Sequence, residues 1–264
     1  MRLTALSLLF LSACNPGSPP EETDDTDGFS DVPIGDTSVV DVPSAPFELK
    51  LMDSSDTPLA HAEVALCALI CQVKETDVDG KVAFTAEARA HSLHINTGDT
   101  NLPEVVFPLF FEADVMQTLD LRIPALETPL VLSEPSSREV ATNLFLTLGA
   151  GDLEIPLDPT TITEVHGVAV EAPHFPPIYL GETTAQPEMV WYLGPYQSAQ
   201  TGGTAFKITN AWGAVAGETY SVYVAHYETF EFVDLGTIAV SEDGNSISGE
   251  AKLPELTTLV IVKD

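Results

Sequence analysis

From Phe47 onward, apolar and polar residues alternate in short runs broken by Gly, Pro, Asn and Asp, the pattern of half-buried β-strands joined by turns. Phe47-Glu48-Leu49-Lys50-Leu51 alternates cleanly, and Asp53 to Pro58 is a polar turn. Arg89 to Asn96, Val105 to Glu112 and Met116 to Ile123 predict further strands, and Thr258 to Val262 predicts the last one. Asp79-Gly80 and Asp243-Gly244 fall between alternating runs and predict hairpin turns in which glycine takes positive φ. Tyr220, Val222, Val224 and His226 share one face of a strand, with Tyr223 and Tyr227 on the other. With aromatics on both faces, one of them is expected to be a contact surface. No stretch carries a long helical period. A folded region of about 220 residues with this texture suggests an all-β fold of two β-sandwich domains, residues 46–125 and 126–264.

The cysteines sharpen one strand pair. Cys67 and Cys71 are four apart. Along one strand that spacing spans roughly 13 Å, beyond the ~7 Å between Cα atoms that a disulfide tolerates. Across a three-residue hairpin loop the two sulfurs meet. The pattern therefore predicts paired strands at Ala62–Leu66 and Gln72–Thr76, clipped at Cys67 and Cys71. A metal site is the competing reading, but it needs more ligands than two thiols, and no His or Cys stands beside them.

Ahead of the strands, residues 15 to about 45 are rich in Pro, Gly, Ser, Thr, Asp and Glu and contain no Lys or Arg. Such a segment has too little to bury to offset the entropy of ordering, and is expected to be a disordered, extended tether. Asp24, Asp25 and Asp27 lack the ordered spacing of a calcium loop and read as part of that spacer. The whole chain of 264 residues carries a formal charge of −30. That charge excludes nucleic acid as a partner, because phosphates need Lys and Arg. It also excludes docking to an anionic membrane through a basic patch.

At the N-terminus, Arg2 precedes an apolar stretch, Leu3 to Leu11, and Ser12-Ala13 are small residues before Cys14. About nine apolar positions at ~1.5 Å each cannot span a ~30 Å bilayer core. Leu11-Ser12-Ala13-Cys14 resembles the lipobox of bacterial lipoproteins. The resemblance implies a signal peptide at 1–13, cleavage before Cys14, and acyl chains on Cys14 that hold residues 14–45 and all that follows to a membrane. Asn15, in place of Asp, points to the outer membrane. Removal of Cys14 from the count leaves Cys67 and Cys71 as an even pair in an oxidising compartment.

Two further resemblances concern the domains. Pro58-Leu59-Ala60-His61-Ala62-Glu63-Val64-Ala65-Leu66, followed by Thr76-Asp77-Val78-Asp79-Gly80-Lys81-Val82-Ala83-Phe84, resembles the carboxypeptidase regulatory-like domain, a transthyretin-like sandwich. His61 departs from it, standing where that family prefers glycine. Gly151 to Asp158, Trp191-Tyr192-Leu193-Gly194-Pro195 and Val240 to Ile247 are similar in order to ZU5-like sandwich domains of bacterial surface lipoproteins.

No chemistry accompanies these modules. Gly-x-Ser-x-Gly, His-Glu-x-x-His and the phosphate-binding loop are all absent. The regulatory-like resemblance does not import peptidase activity, which in carboxypeptidases belongs to a separate domain. Asp77 and Asp79 read as turn residues, and His91 and His94, three apart on a strand, point to opposite faces. The sequence calls for no metal, no cofactor and no enzymatic activity. Two functions remain: a membrane-anchored envelope protein that displays β modules to a protein partner, or a carbohydrate-binding lipoprotein. For the second, Trp191, Tyr192, Tyr196 and Trp212 are the candidate sugar-stacking aromatics, against the alternative that they pack the core.

Overall fold

The computed structural model describes residues 43–156, 161–181, 183–226 and 229–264. Cys14, the expected signal peptide at 1–13, most of the expected tether and Tyr227 lie outside the described residues. The alternation at Phe47–Leu51 becomes β1 (Ser44–Asp53), and the runs that follow become β2 (Glu63–Cys67), β3 (Cys71–Glu75), β4 (Lys81–Glu87), β5 (Ala90–Asn96), β6 (Val105–Phe110) and β7 (Gln117–Ile123). They form two sheets, ordered β4-β1-β7 and β3-β2-β5-β6. The β1–β7 pairing is parallel, and the others within these sheets are antiparallel. Phe47, Leu49, Val82 and Phe84 of one sheet pack with Val64, Leu66, Leu93 and Ile95 of the other, all buried.

The next strands are β8 (Leu130–Val131), β9 (Ser136–Ala141), β10 (Leu144–Leu148) and β11 (Glu164–Val170). After them come β12 (Ile178–Leu180), β13 (Thr183–Ala185), β14 (Pro187–Gly194) and β15 (Ala199–Thr209). The chain closes with β16 (Thr219–His226), β17 (Glu231–Val240), β18 (Ser246–Gly249), β19 (Lys252–Glu255) and β20 (Thr258–Lys263). Apart from the β12–β13 pair, these strands make one large sheet in the order β8-β11-β14-β20-β16-β17-β18-β15-β10-β9, with β19 also paired to β15. The sheet curls until β9 lies against β11. Gly167 in β11 permits that approach, since a Cβ there would sit 3.1 Å from Ala141 Cβ and 2.9 Å from Leu193. The one helical element among the described residues is a 3-10 turn at Ala172–His174.

Three strands of this sheet are buried on both faces. Trp191 and Leu193 of β14, Leu259 and Ile261 of β20, and Tyr220, Val222 and Val224 of β16 point into the interior of the curl. Their neighbours Val190, Tyr192, Val260 and Ala225 point the other way, into the core shared with Phe47 and Leu93. β6 lies against β16, β17 and β20, and the Thr258 hydroxyl donates to the Val106 carbonyl. The expected division of β16 into two faces is observed for Tyr220, Val222, Val224 and Tyr223. The second face is not an open contact surface, because the chain's own first half covers it. The described residues accordingly form one compact unit.

Candidate functional site

Among the described residues, the two most exposed large apolar side chains sit at the tip of the β2–β3 hairpin. Its register runs from Glu63↔Glu75 to Cys67↔Cys71, and the disulfide closes a three-residue loop, with Cα atoms 4.0 Å apart. Val64 and Leu66 anchor the hairpin from its inner face. Beyond the disulfide, Leu69 and Ile70 are 82% and 84% exposed, and Val73 on β3 is 57% exposed. A clip on so short a loop contributes about 2 kcal/mol in the chain-entropy account. Strand β3 is tied to β4 as well. Gln72 Nε2 donates to Thr85 O at 2.7 Å, Lys74 Nζ donates to Ala83 O at 2.6 Å, and the Lys74 ammonium lies 5.0 Å from the Phe84 ring centre. The tip is thus an apolar knob held in a fixed shape.

The four candidate stacking aromatics do not form a platform. Trp191 and Tyr192 are fully buried, on opposite faces of β14, so neither can receive a sugar. Strand alternation forces this outcome, because adjacent residues on a strand sandwiched between two cores must point into different ones. Trp191 Nε1 donates to Thr142 O at 3.0 Å. Trp212 is partly buried and meets Tyr220 edge-on, at 6.0 Å and 88°. Tyr196 is half-buried beside His94, with ring centres 5.2 Å apart.

Tyr196 lies in a groove of about 400 Å3 whose other lining residues no sequence motif marks. One wall is the β5–β6 connection, residues 97–104; the other is His166 of β11 with Gly194, Pro195 and Tyr196 at the end of β14. The connection is knit by side chains: Asn96 Oδ1 accepts from Gly98 N at 2.8 Å, and Asp99 Oδ1 accepts from Asn101 N at 2.9 Å. Glu104 Oε1 accepts from Asn96 Nδ2 at 3.2 Å, and Glu104 Oε2 stands 3.8 Å from His94 Nε2. The His166 ring rests on Gly194, where a Cβ would come within 2.3 Å of Nε2. Leu102, Leu126 and Leu193 supply apolar lining. Among the described residues, no three His, Cys, Asp or Glu side chains cluster closely enough to hold a metal ion.

The remaining candidates are accounted for by the backbone. Asp77 Oδ1 accepts from both Asp79 N and Lys81 N at 2.9 Å, so the Asp77–Gly80 segment is an aspartate-capped turn. His61 adopts φ 59°, the left-handed region that glycine occupies freely, at the position where the regulatory-like pattern has glycine. His91 and His94 do face opposite ways. His91 is buried edge-on against Phe111, while His94 faces Glu104 and Tyr196.

Two imidazoles carry a pH dependence. Burial lowers the pKa of His91, opposed by the Arg89 carbonyl, and burial lowers that of His166, opposed by Glu104. In both, the unfolded chain binds a proton more readily than the folded one. Stability is therefore complete above the ordinary histidine pKa of about 6.5 and falls as pH drops below it. Asp243, held down at about 2 chiefly by the Ser241 hydroxyl, contributes to a separate loss below the ordinary carboxylate range. Melting temperatures between pH 7.5 and pH 5 are expected to decline, and the decline is expected to flatten in a His91→Asn/His166→Asn double variant. An equal slope in both proteins would show that other groups carry it.

No helix among the described residues is long and apolar enough to cross a membrane. No protein-family model matches the chain, and no curated protein does. Solved structures similar to it include the Bacillus anthracis TIE protein, at 8% identity over 78% of this chain and 42% of that one, with a TM-score of 0.30. A Streptococcal ancillary pilin matches at 9% identity over 85% and 59%, with a TM-score of 0.26. A DUF3823 family protein from Parabacteroides merdae matches at 8% identity over 84% and 99%, with a TM-score of 0.25. The chain spans less than two thirds of the length of the first two. Likeness of this depth transfers no function.

Proposed function

We propose that this chain is a lipid-anchored protein of the bacterial cell envelope that presents its β modules to a protein partner and catalyses no reaction. Cys14 carries the anchor at the outer membrane, and the acidic tether holds the folded part away from the bilayer. The first module is read as regulatory-like, on the Pro58–Phe84 pattern. The observation that carries the interaction reading is the β2–β3 tip. Leu69 and Ile70 are almost wholly exposed on a loop closed by a disulfide. Each gains about 1.5–3 kcal/mol on full burial against a partner, and a loop already fixed loses little entropy on docking.

The test is photo-crosslinking in the native cell, with a photoreactive residue placed at Ile70. Val215, 66% exposed on a different loop, is the control position. A discrete protein adduct at position 70, absent at position 215 and weakened by Leu69→Ser, is expected. Equal labelling at both positions, or none at 70, overturns the interaction reading. In the same cells, Cys14→Ser is expected to move the protein from the membrane to the soluble fraction.

A further inference from the structure

We propose that the groove between the β5–β6 connection and the end of β14 seats a cationic side chain, an arginine presented by a basic partner protein. The proposal rests on the reading of the chain as an interaction protein and names the chemistry of the partner at a second contact. Charge complementarity is the first ground. Asp99 and Glu104 both line the groove, and no Lys or Arg does. Among the described residues, neither carboxylate has a Lys or Arg partner within 4.0 Å, in contrast to Asp56 with Arg122 and Glu218 with Lys263. An ionised carboxylate offers about four acceptor sites. Glu104 takes one hydrogen bond from Asn96, and His94 at 3.8 Å is beyond hydrogen-bonding range.

Shape and lining are the second ground. A guanidinium needs a planar acceptor and favours an aromatic surface nearby. Glu104 supplies the first and Tyr196 the second. The methylene stem of an arginine needs apolar contacts, and Leu102, Leu126 and Leu193 provide them. The volume of about 400 Å3 lies within the range of small-ligand pockets. Gly194 and His166 fix the far wall, because the imidazole occupies the space a side chain at 194 would take. The formal charge of −30 also draws cationic partners toward the whole molecule.

The test uses the full mature chain in non-ionic detergent with Nα-acetyl-arginine amide as the probe, followed by saturation-transfer NMR. Saturable binding at about millimolar concentration is expected for a ligand of that size. Nα-acetyl-citrulline amide, the uncharged isostere, is expected to bind at least tenfold more weakly. Glu104→Gln is expected to weaken arginine-amide binding at least tenfold, and Asp99→Asn to weaken it to a lesser degree. Glu250→Gln, an equal change in net charge at an exposed position, is expected to leave binding unchanged. Melting curves confirm that each variant is folded, and Asp99→Asn serves if Glu104→Gln is not. Equal binding of citrulline amide, no binding of arginine amide, or equal losses at positions 104 and 250 overturns the proposal. A blank here beside a positive crosslink at Ile70 discards the groove and leaves the interaction reading standing.

Discussion

Replacing Trp191 by alanine is expected to remove about 3–5 kcal/mol of stability, out of the roughly 5–15 kcal/mol that a folded domain has in total. The ring is fully buried inside the curl of the large sheet, among Leu144, Leu146, Ile208 and Leu259. Its loss leaves a large void, and close-packed surroundings relax only partly into such voids. It also strips the Thr142 carbonyl of its indole donor, a part-buried hydrogen bond that contributes about 1 kcal/mol. Trp212→Ala is the internal comparison. Trp212 is partly buried and touches Tyr220 edge-on, so about 1 kcal/mol is expected, the scale of one aromatic pair. Urea denaturation followed by circular dichroism measures both without relying on the tryptophans removed. Similar midpoints for the two variants would contradict the burial of Trp191 and reopen it as a surface aromatic.

Gly80→Ala is expected to cost about 2–5 kcal/mol, the sum of left-handed backbone strain and overpacking. Gly80 has φ 73°, and a Cβ there would sit 2.4 Å from the Leu51 carbonyl oxygen and 3.2 Å from Leu59 N. Both are backbone atoms held in place: Leu51 N donates to Gly80 O, and Leu59 N donates to Leu51 O. Neither can swing aside as a side chain would. Gly98 supplies the control, with φ 68° and nothing within 4 Å of its added Cβ. Gly98→Ala therefore carries only the backbone strain, about 1–2 kcal/mol. The difference between the two variants isolates the steric cost of the turn beneath Asp77. If the two cost the same, the close approach of the Asp77–Gly80 turn to β1 is wrong.

Much of the local architecture was legible because the relevant forces act between near neighbours. The alternation at Phe47–Leu51 gave β1, and the Cys67/Cys71 spacing led to the hairpin and its disulfide, since both depend on a few consecutive residues. The Asp-Gly pairs marked the turns at Gly80 and Gly244, each with positive φ. The candidate site was far less legible. Glu104 and His166 are 62 positions apart in the numbering, and no spacing rule relates them. The cysteine spacing puts Leu69 and Ile70 in the hairpin loop, but how far they stand in solvent, 82% and 84% exposed, depends on the hairpin projecting beyond the sheets.

The burial of Trp191 and Tyr192 decides for core packing over the sugar-stacking alternative. Met189-Val-Trp-Tyr-Leu193 and Leu259-Val-Ile-Val262 are continuous apolar runs, the pattern of strands buried on both faces. That signal was present and argued against Trp191 and Tyr192 as surface aromatics. By itself the sequence determined that the chain would be β-rich, where its Asp-Gly turns fall, and that Cys67 and Cys71 would pair. Only the tertiary structure decided what each strand face touches, which aromatics are sealed away, and which carboxylate meets which imidazole. Period and spacing record what a residue does to its neighbours along the chain. Partners on the far face of a strand are chosen by how whole sheets stack to remove apolar surface from water, and that choice is made by the molecule as a whole.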